Sequence, residues 1–100
     1  MNEKEILKSA LSLYGSTAQT VVAIEELSEL QKELCKSLRF EANRQHIAEE
    51  IADVQIMLKQ MMMLYELHVD VAEWECKKVS RLRERLAQDG MNVRRCDAEN

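Results

Sequence analysis

The sequence predicts an all-α fold. Three observations carry this reading. The 100 residues hold no proline and only two glycines, Gly15 and Gly90. Apolar residues recur at intervals of three and four over long stretches, and polar residues suited to helix capping bracket those stretches. With 46% apolar and 32% charged residues, the chain reads as helices with few tight turns.

Four helices follow in order. The first runs from about Glu3 to Leu13, with Asn2 as cap, Glu5 at the third helical position and Gly15 as its end. The second opens at Ser16, with Gln19 as a capping-box partner. It continues through Val21, Ile24, Leu27, Leu30 and Leu34 to Leu38. Residues 39–43 read as a short connection, with Asn43 capping the next helix.

The third helix is expected over Arg44 to Leu67. Its second half is apolar nearly all round, from Val54 through Ile56, Met57, Leu58 and Met61 to Leu64. A helix at the edge of a monomer keeps one wet face, so the extra face of this one predicts packing on another subunit. Asp70 and Glu73 sign the start of a fourth helix. It carries Val71, Trp74, Val79, Leu82 and Leu86 on one side and Lys77, Lys78, Arg81, Arg83 and Arg85 on the other. After Gly90 the pattern stops, so residues 1–88 form one domain and 89–100 a polar, disordered tail.

The totals exclude several classes. Fourteen basic against 18 acidic residues give a net charge of −4, without the dominant basic field of a protein that coats nucleic acid. Cys35, Cys76 and Cys96 lack disulfide-framework or zinc-ligand spacing and read as reduced thiols. No apolar stretch approaches the ~20 residues needed to span a bilayer. The opening MNEKEILK lacks the apolar segment of a signal peptide. The expectation is a cytoplasmic protein with no membrane partner and, at this length, a tendency to self-associate.

The chemistry concentrates in two acidic clusters, EELSE at Glu25–Glu29 and EEIAD at Glu49–Asp53. They interleave with Ile24, Leu27, Leu30, Ile47, Ile51 and Val54, residues expected to face a core. Carboxylates at a buried level are costly unless something positive meets them. Glu26 with Glu29, and Glu50 with Asp53, each stand three apart and share a helix face. In an antiparallel hairpin, residues at one height have a constant sum of numbers. Glu26 with Asp53 and Glu29 with Glu50 both give 79, and the implied pivot falls at the start of the proposed connection. Each pair is therefore expected to face the other across two helices, with Glu25 at the border of the same face.

Four carboxylates at one level favour a hard cation, Mg²⁺, Mn²⁺ or Ca²⁺, over zinc. A di-iron centre normally uses a Glu-x-x-His pair, and neither His46 nor His68 stands three after a cluster glutamate. The plain alternative is a solvated face whose acids pair with Lys32, Lys36, Arg44 and Lys59. That suits any one residue better than it suits the matched set.

The stretches EELSELQKEL and HIAEEIADVQIML, an E-E-x-x-E followed after twenty residues by E-x-x-D, resemble the signature of the MazG-like all-α nucleoside triphosphate pyrophosphohydrolases. They look like short, single-domain, phage-type members in particular. VAEWECKKVSRLRERL is similar to their Lys/Arg-bearing segment, so the resemblance covers about residues 1–88. It implies a four-helix chain with a central antiparallel hairpin, assembling as a homodimer or homotetramer into an oligomeric helix bundle. The implied reaction is Mg²⁺-dependent hydrolysis of a (deoxy)nucleoside triphosphate between its α- and β-phosphates, giving the monophosphate and pyrophosphate, with Mn²⁺ as a substitute ion. Carried over by motif position, Glu26, Glu29, Glu50 and Asp53 would hold the metal. Glu25 would orient or deprotonate the attacking water.

Lys77, Lys78, Arg81 and Arg85 form a helical stripe suited to the phosphate tail, with Lys32 a further candidate; the plain reading of the stripe is a solvated helix face. Trp74 is expected to pack in a core or interface, and the methionine cluster likewise. Two alternatives stand beside this: a phosphoribosyl-ATP pyrophosphohydrolase-like enzyme, and a non-catalytic helical interaction module that binds metal structurally.

Overall fold

The computed structural model describes residues 1–91; 92–100, most of the expected tail together with Cys96, lie outside the described residues. Four α-helices follow one another, α1 (Glu3–Tyr14), α2 (Ser16–Leu38), α3 (Arg44–Leu64) and α4 (His68–Gln88), and no strand occurs among the described residues. The chain divides into two compact units, Met1–Leu67 with the first three helices and a second one opening with α4 at His68. No described helix is long and apolar enough to cross a membrane.

Local chemistry sets most helix ends. Asn2 accepts the Glu5 N–H at 2.8 Å while the Glu5 carboxylate accepts the Asn2 N–H at 3.4 Å, the reciprocal capping box expected for α1. Helix α2 departs from expectation. Its cap residue is Gly15, at φ 93°, with no side-chain bond to the helix start. Gln19 is no capping partner because its side chain turns into the interface with α3. Helices α2, α3 and α4 all end in the same way. The residue after the cap, Phe40 (φ 62°), Glu66 (φ 53°) or Gly90 (φ 93°), takes the left-handed conformation. The next N–H then reaches back to a carbonyl of the last turn: Glu41 to Lys36, Leu67 to Met62, Met91 to Leu86. Helix α3 therefore stops at Leu64, three residues before the expected Leu67. Helix α4 opens at His68, which leaves Asp70 within its first turn.

Within the first unit α2 and α3 pack together and α1 lies against both. The α2–α3 pair is antiparallel. Near its open end Gln19 Nε2 donates to Gln60 Oε1 at 2.6 Å, and near the turn Asn43 Nδ2 donates to the Glu33 carbonyl at 2.8 Å and to Glu33 Oε1 at 3.2 Å. Lys59 of α3 pairs with Glu3 of α1 at 3.2 Å.

The side chains between α2 and α3 differ from those expected. On α2 the inward series is Gln19, Ala23, Glu26, Leu30 and Glu33; on α3 it is Ile47, Glu50, Val54 and Met57, with Gln60. Both step by four and three, as interhelical seams do. Val54 is buried as expected. Ile24 (59% exposed), Leu27 and Ile51 face outward, with Val21, Leu34 and Leu38. The apolar stripe of α2 and its intrachain seam are different faces of one helix. A second helix covers only one of them, and here it covers the more polar one.

Candidate metal centre

The seam brings three carboxylates together. Ligand oxygens of Glu26, Glu50 and Asp53 all lie within 4.8 Å of one another, and each residue is half-buried. Glu26 sits midway along the α2 seam, seven residues from Gln19 and from Glu33. Glu50 and Asp53 stand one helical turn apart on α3 and reach it from the other side.

The electrostatics are those of a site that lacks countercharge. Burial, then the charges of Asp53 and Glu50, hold the Glu26 carboxyl above its ordinary value of 4.5. Burial also raises Glu50, followed by the charges of Asp53, Glu29 and Glu49. Protonated, Glu26 can donate to Asp53 or Glu50. Among the described residues Glu50 Oε2 is shielded from solvent and has no hydrogen-bond partner, which leaves a strong acceptor buried without a donor. Among the described residues no ion pair engages Glu25, Glu26, Glu29, Glu50 or Asp53. Two of the bases that a solvated face would use are committed elsewhere, Lys36 to Glu33 at 3.2 Å and Lys59 to Glu3.

The remaining expected ligands fall around this core of three. Glu29 is exposed and outside it, yet near enough to raise the Glu50 carboxyl. Glu25 is exposed on α2, beside Glu26 in sequence and outside the three. Lys32 is exposed on the same helix.

Lys77, Lys78, Arg81 and Arg85 lie on α4, in the second unit, and all are exposed. There Trp74 does not take the core option of its expected core-or-interface packing. It is 51% exposed, and Lys77 Nζ stands 4.9 Å from its ring centroid, with Lys78 Nζ and Arg81 Cζ at 5.9 Å. Trp74, Lys78, Arg81 and Arg85 are spaced by four, three and four, so helical geometry puts one aromatic and three cations on a single face.

Sequence reasoning missed Glu33. It is buried, and its carboxyl is held below the ordinary value mainly by the Asn43 hydrogen bond, with Lys36 and His46 assisting against the effect of burial. The available signal was the seven-residue spacing of Gln19, Glu26 and Glu33. Cys35 and Cys76 are exposed free thiols.

Compared with protein-family models, curated proteins and solved structures, the chain matches none.

Proposed function

We propose that the Glu26–Glu50–Asp53 cluster binds a hard divalent cation, Mg²⁺ or Mn²⁺, and serves hydrolysis of a (deoxy)nucleoside triphosphate to the monophosphate and pyrophosphate. The observation that carries this is the buried, unpartnered Glu50 Oε2 among carboxylates within 4.8 Å of one another. An all-oxygen donor set fits Mg²⁺, which keeps several waters and shares its remaining positions with phosphate oxygens. When bound, the cation neutralises phosphate charge and makes water easier to deprotonate.

The chain's own groups have separate tasks in this reading. Glu26, Glu50 and Asp53 hold the ion, and Glu29 supplies the fourth carboxylate. Glu25 takes the proton of the attacking water as its oxygen joins phosphorus and the α–β bridging bond breaks. Lys32 binds phosphate oxygens in the first unit, and Lys77, Lys78, Arg81 and Arg85 form a phosphate-binding face of α4 in the second. The resemblance to MazG-like pyrophosphohydrolases supplies the reaction, and the role is the cleaning of a cytoplasmic nucleotide pool. Pyrophosphate release across a panel of canonical and modified nucleotides, with phosphoribosyl-ATP included, tests it. The expected result is Mg²⁺-dependent release from at least one of them. Trp74 is the only tryptophan, so substrate phosphates on its neighbouring cations should also change its emission. Silence across the panel defeats the enzymatic reading, and Mg²⁺ stabilisation without turnover would favour the non-catalytic module.

The same reading includes self-association. Together with the α3 face expected to meet another subunit, where Ile56 and Leu58 are exposed, the exposed stripe Val21, Ile24, Leu27 and Leu34 of α2 supports a second copy as its cover, since removing such a row from water is strongly favourable. Sedimentation at micromolar concentration is expected to give a dimer or tetramer, and Ile24→Asp with Leu27→Asp a smaller species. A monomeric wild-type chain would refute this.

A further inference from the structure

Three polar layers cross the α2–α3 seam, and only the middle one belongs to the acidic cluster. Gln19 and Gln60 meet at one end, and their numbers add to 79, as do those of Glu26 and Asp53. Glu33 and Asn43 meet at the other end, seven residues beyond Glu26 on α2. All four outer residues are buried, Gln60 to 3% exposure, whereas the apolar layers between them are few: Ala23, Leu30, Ile47, Val54 and Met57.

We propose that the Gln19–Gln60 and Glu33–Asn43 pairs are positioning residues that lock the register of the hairpin and so align the carboxylates. The proposal rests on the reading of the cluster as a cation site. Small apolar layers alone discriminate poorly between small axial shifts of one helix along the other, shifts of less than a turn that the five-residue connection 39–43 permits. A buried amide does discriminate. Out of register, Gln19 and Gln60 lose each other while still shielded from water, and a single buried polar position can fix helix register in this way. Repulsion among Glu26, Glu50 and Asp53 pushes toward such slippage in the absence of a cation, so the ties have to hold a geometry that the site itself opposes.

The test replaces both partners of one tie, so that no amide is orphaned. Gln19→Leu with Gln60→Leu is expected to keep its helicity and to melt no lower than the wild type, since a matched apolar pair can replace a buried polar one without loss. Register is read from nitroxides on Cys35 and on Cys introduced at Gln55, in a Cys76→Ser, Cys96→Ser chain diluted with unlabelled protein. The parent should give one narrow distance and the double variant a broadened or second one. Mn²⁺ affinity should fall about tenfold or more, the usual cost of losing groups that orient metal ligands. Gln60→Glu, which keeps an acceptor for the Gln19 amide, should retain the single distance. An unchanged distance in the double variant overturns the proposal, as does a broadened distance with unchanged Mn²⁺ affinity. If the wild type binds no Mn²⁺, the cation reading fails by itself, and the label distances still decide whether the ties set register.

Discussion

Glu50→Gln should raise the melting temperature of the metal-free protein while abolishing its response to Mg²⁺ and lowering hydrolysis by at least about 100-fold, more than the loss of an outer-shell partner. Stability and function move in opposite directions here because one group is responsible for both. Glu50 adds its charge to those of Glu26 and Asp53 at a half-buried level, and one of its oxygens has no partner there. Neutralising it removes repulsion from the free protein. It also removes a negative ligand from the set that would hold the ion. A residue that merely supported the fold would behave differently, since its loss would lower stability with and without metal. Melting curves of both proteins in EDTA and in Mg²⁺, beside a pyrophosphate-release assay, check this. A Glu50→Gln protein that is less stable in EDTA would show that the carboxylate is structural.

The second large effect is a dependence on pH that metal reverses. Glu26 and Glu50 titrate above 4.5 in the folded chain. Groups with raised values favour the fold while protonated, so their contribution is complete below the unfolded value and is lost as pH rises through the folded ones. Glu33 has the opposite sign. Its lowered carboxyl contributes above 4.5 and loses that contribution as pH falls through its folded value. Metal-free stability should therefore pass through a maximum at mildly acidic pH and decline toward neutrality. Mg²⁺ at a hundred times its dissociation constant should add about 2.7 kcal/mol near neutral pH. Its effect should fade below about pH 5, where protons compete for the same oxygens. Urea denaturation over this range with EDTA or Mg²⁺ measures both limbs. A stability that rises steadily to neutrality without metal would mean that the three carboxylates already have partners.

Much of this was legible in the sequence because it rests on short-range rules. Asn2 and Glu5 announce the start of α1, and Gly90 announces the end of α4. The facing of Glu26 and Asp53 follows from the shortness of the connection between α2 and α3, which sets to within a turn which residues share a height. What could not be read is which face of α2 turns inward. Ile24 and Leu27 have the composition of a core, and Gln19, Glu26 and Glu33 that of a wet surface, yet the polar row forms the seam. Hydrophobic periodicity reports the face that most favours burial, without saying whether one chain or two will bury it. Helix ends at Phe40 and Glu66 were hidden for a related reason. The left-handed position that closes a helix is usually marked by glycine, and here bulkier residues occupy it.

The most direct measurement is titration of Mn²⁺ into the metal-free protein, followed by electron paramagnetic resonance of the free ion. Saturable binding at the carboxylate cluster is expected, competed by Mg²⁺ and lost in both Glu50→Gln and Asp53→Asn, while the α4 change Arg85→Ala leaves it intact. Absence of saturable binding, or binding that survives both carboxylate changes, would rule out a cation site at Glu26, Glu50 and Asp53.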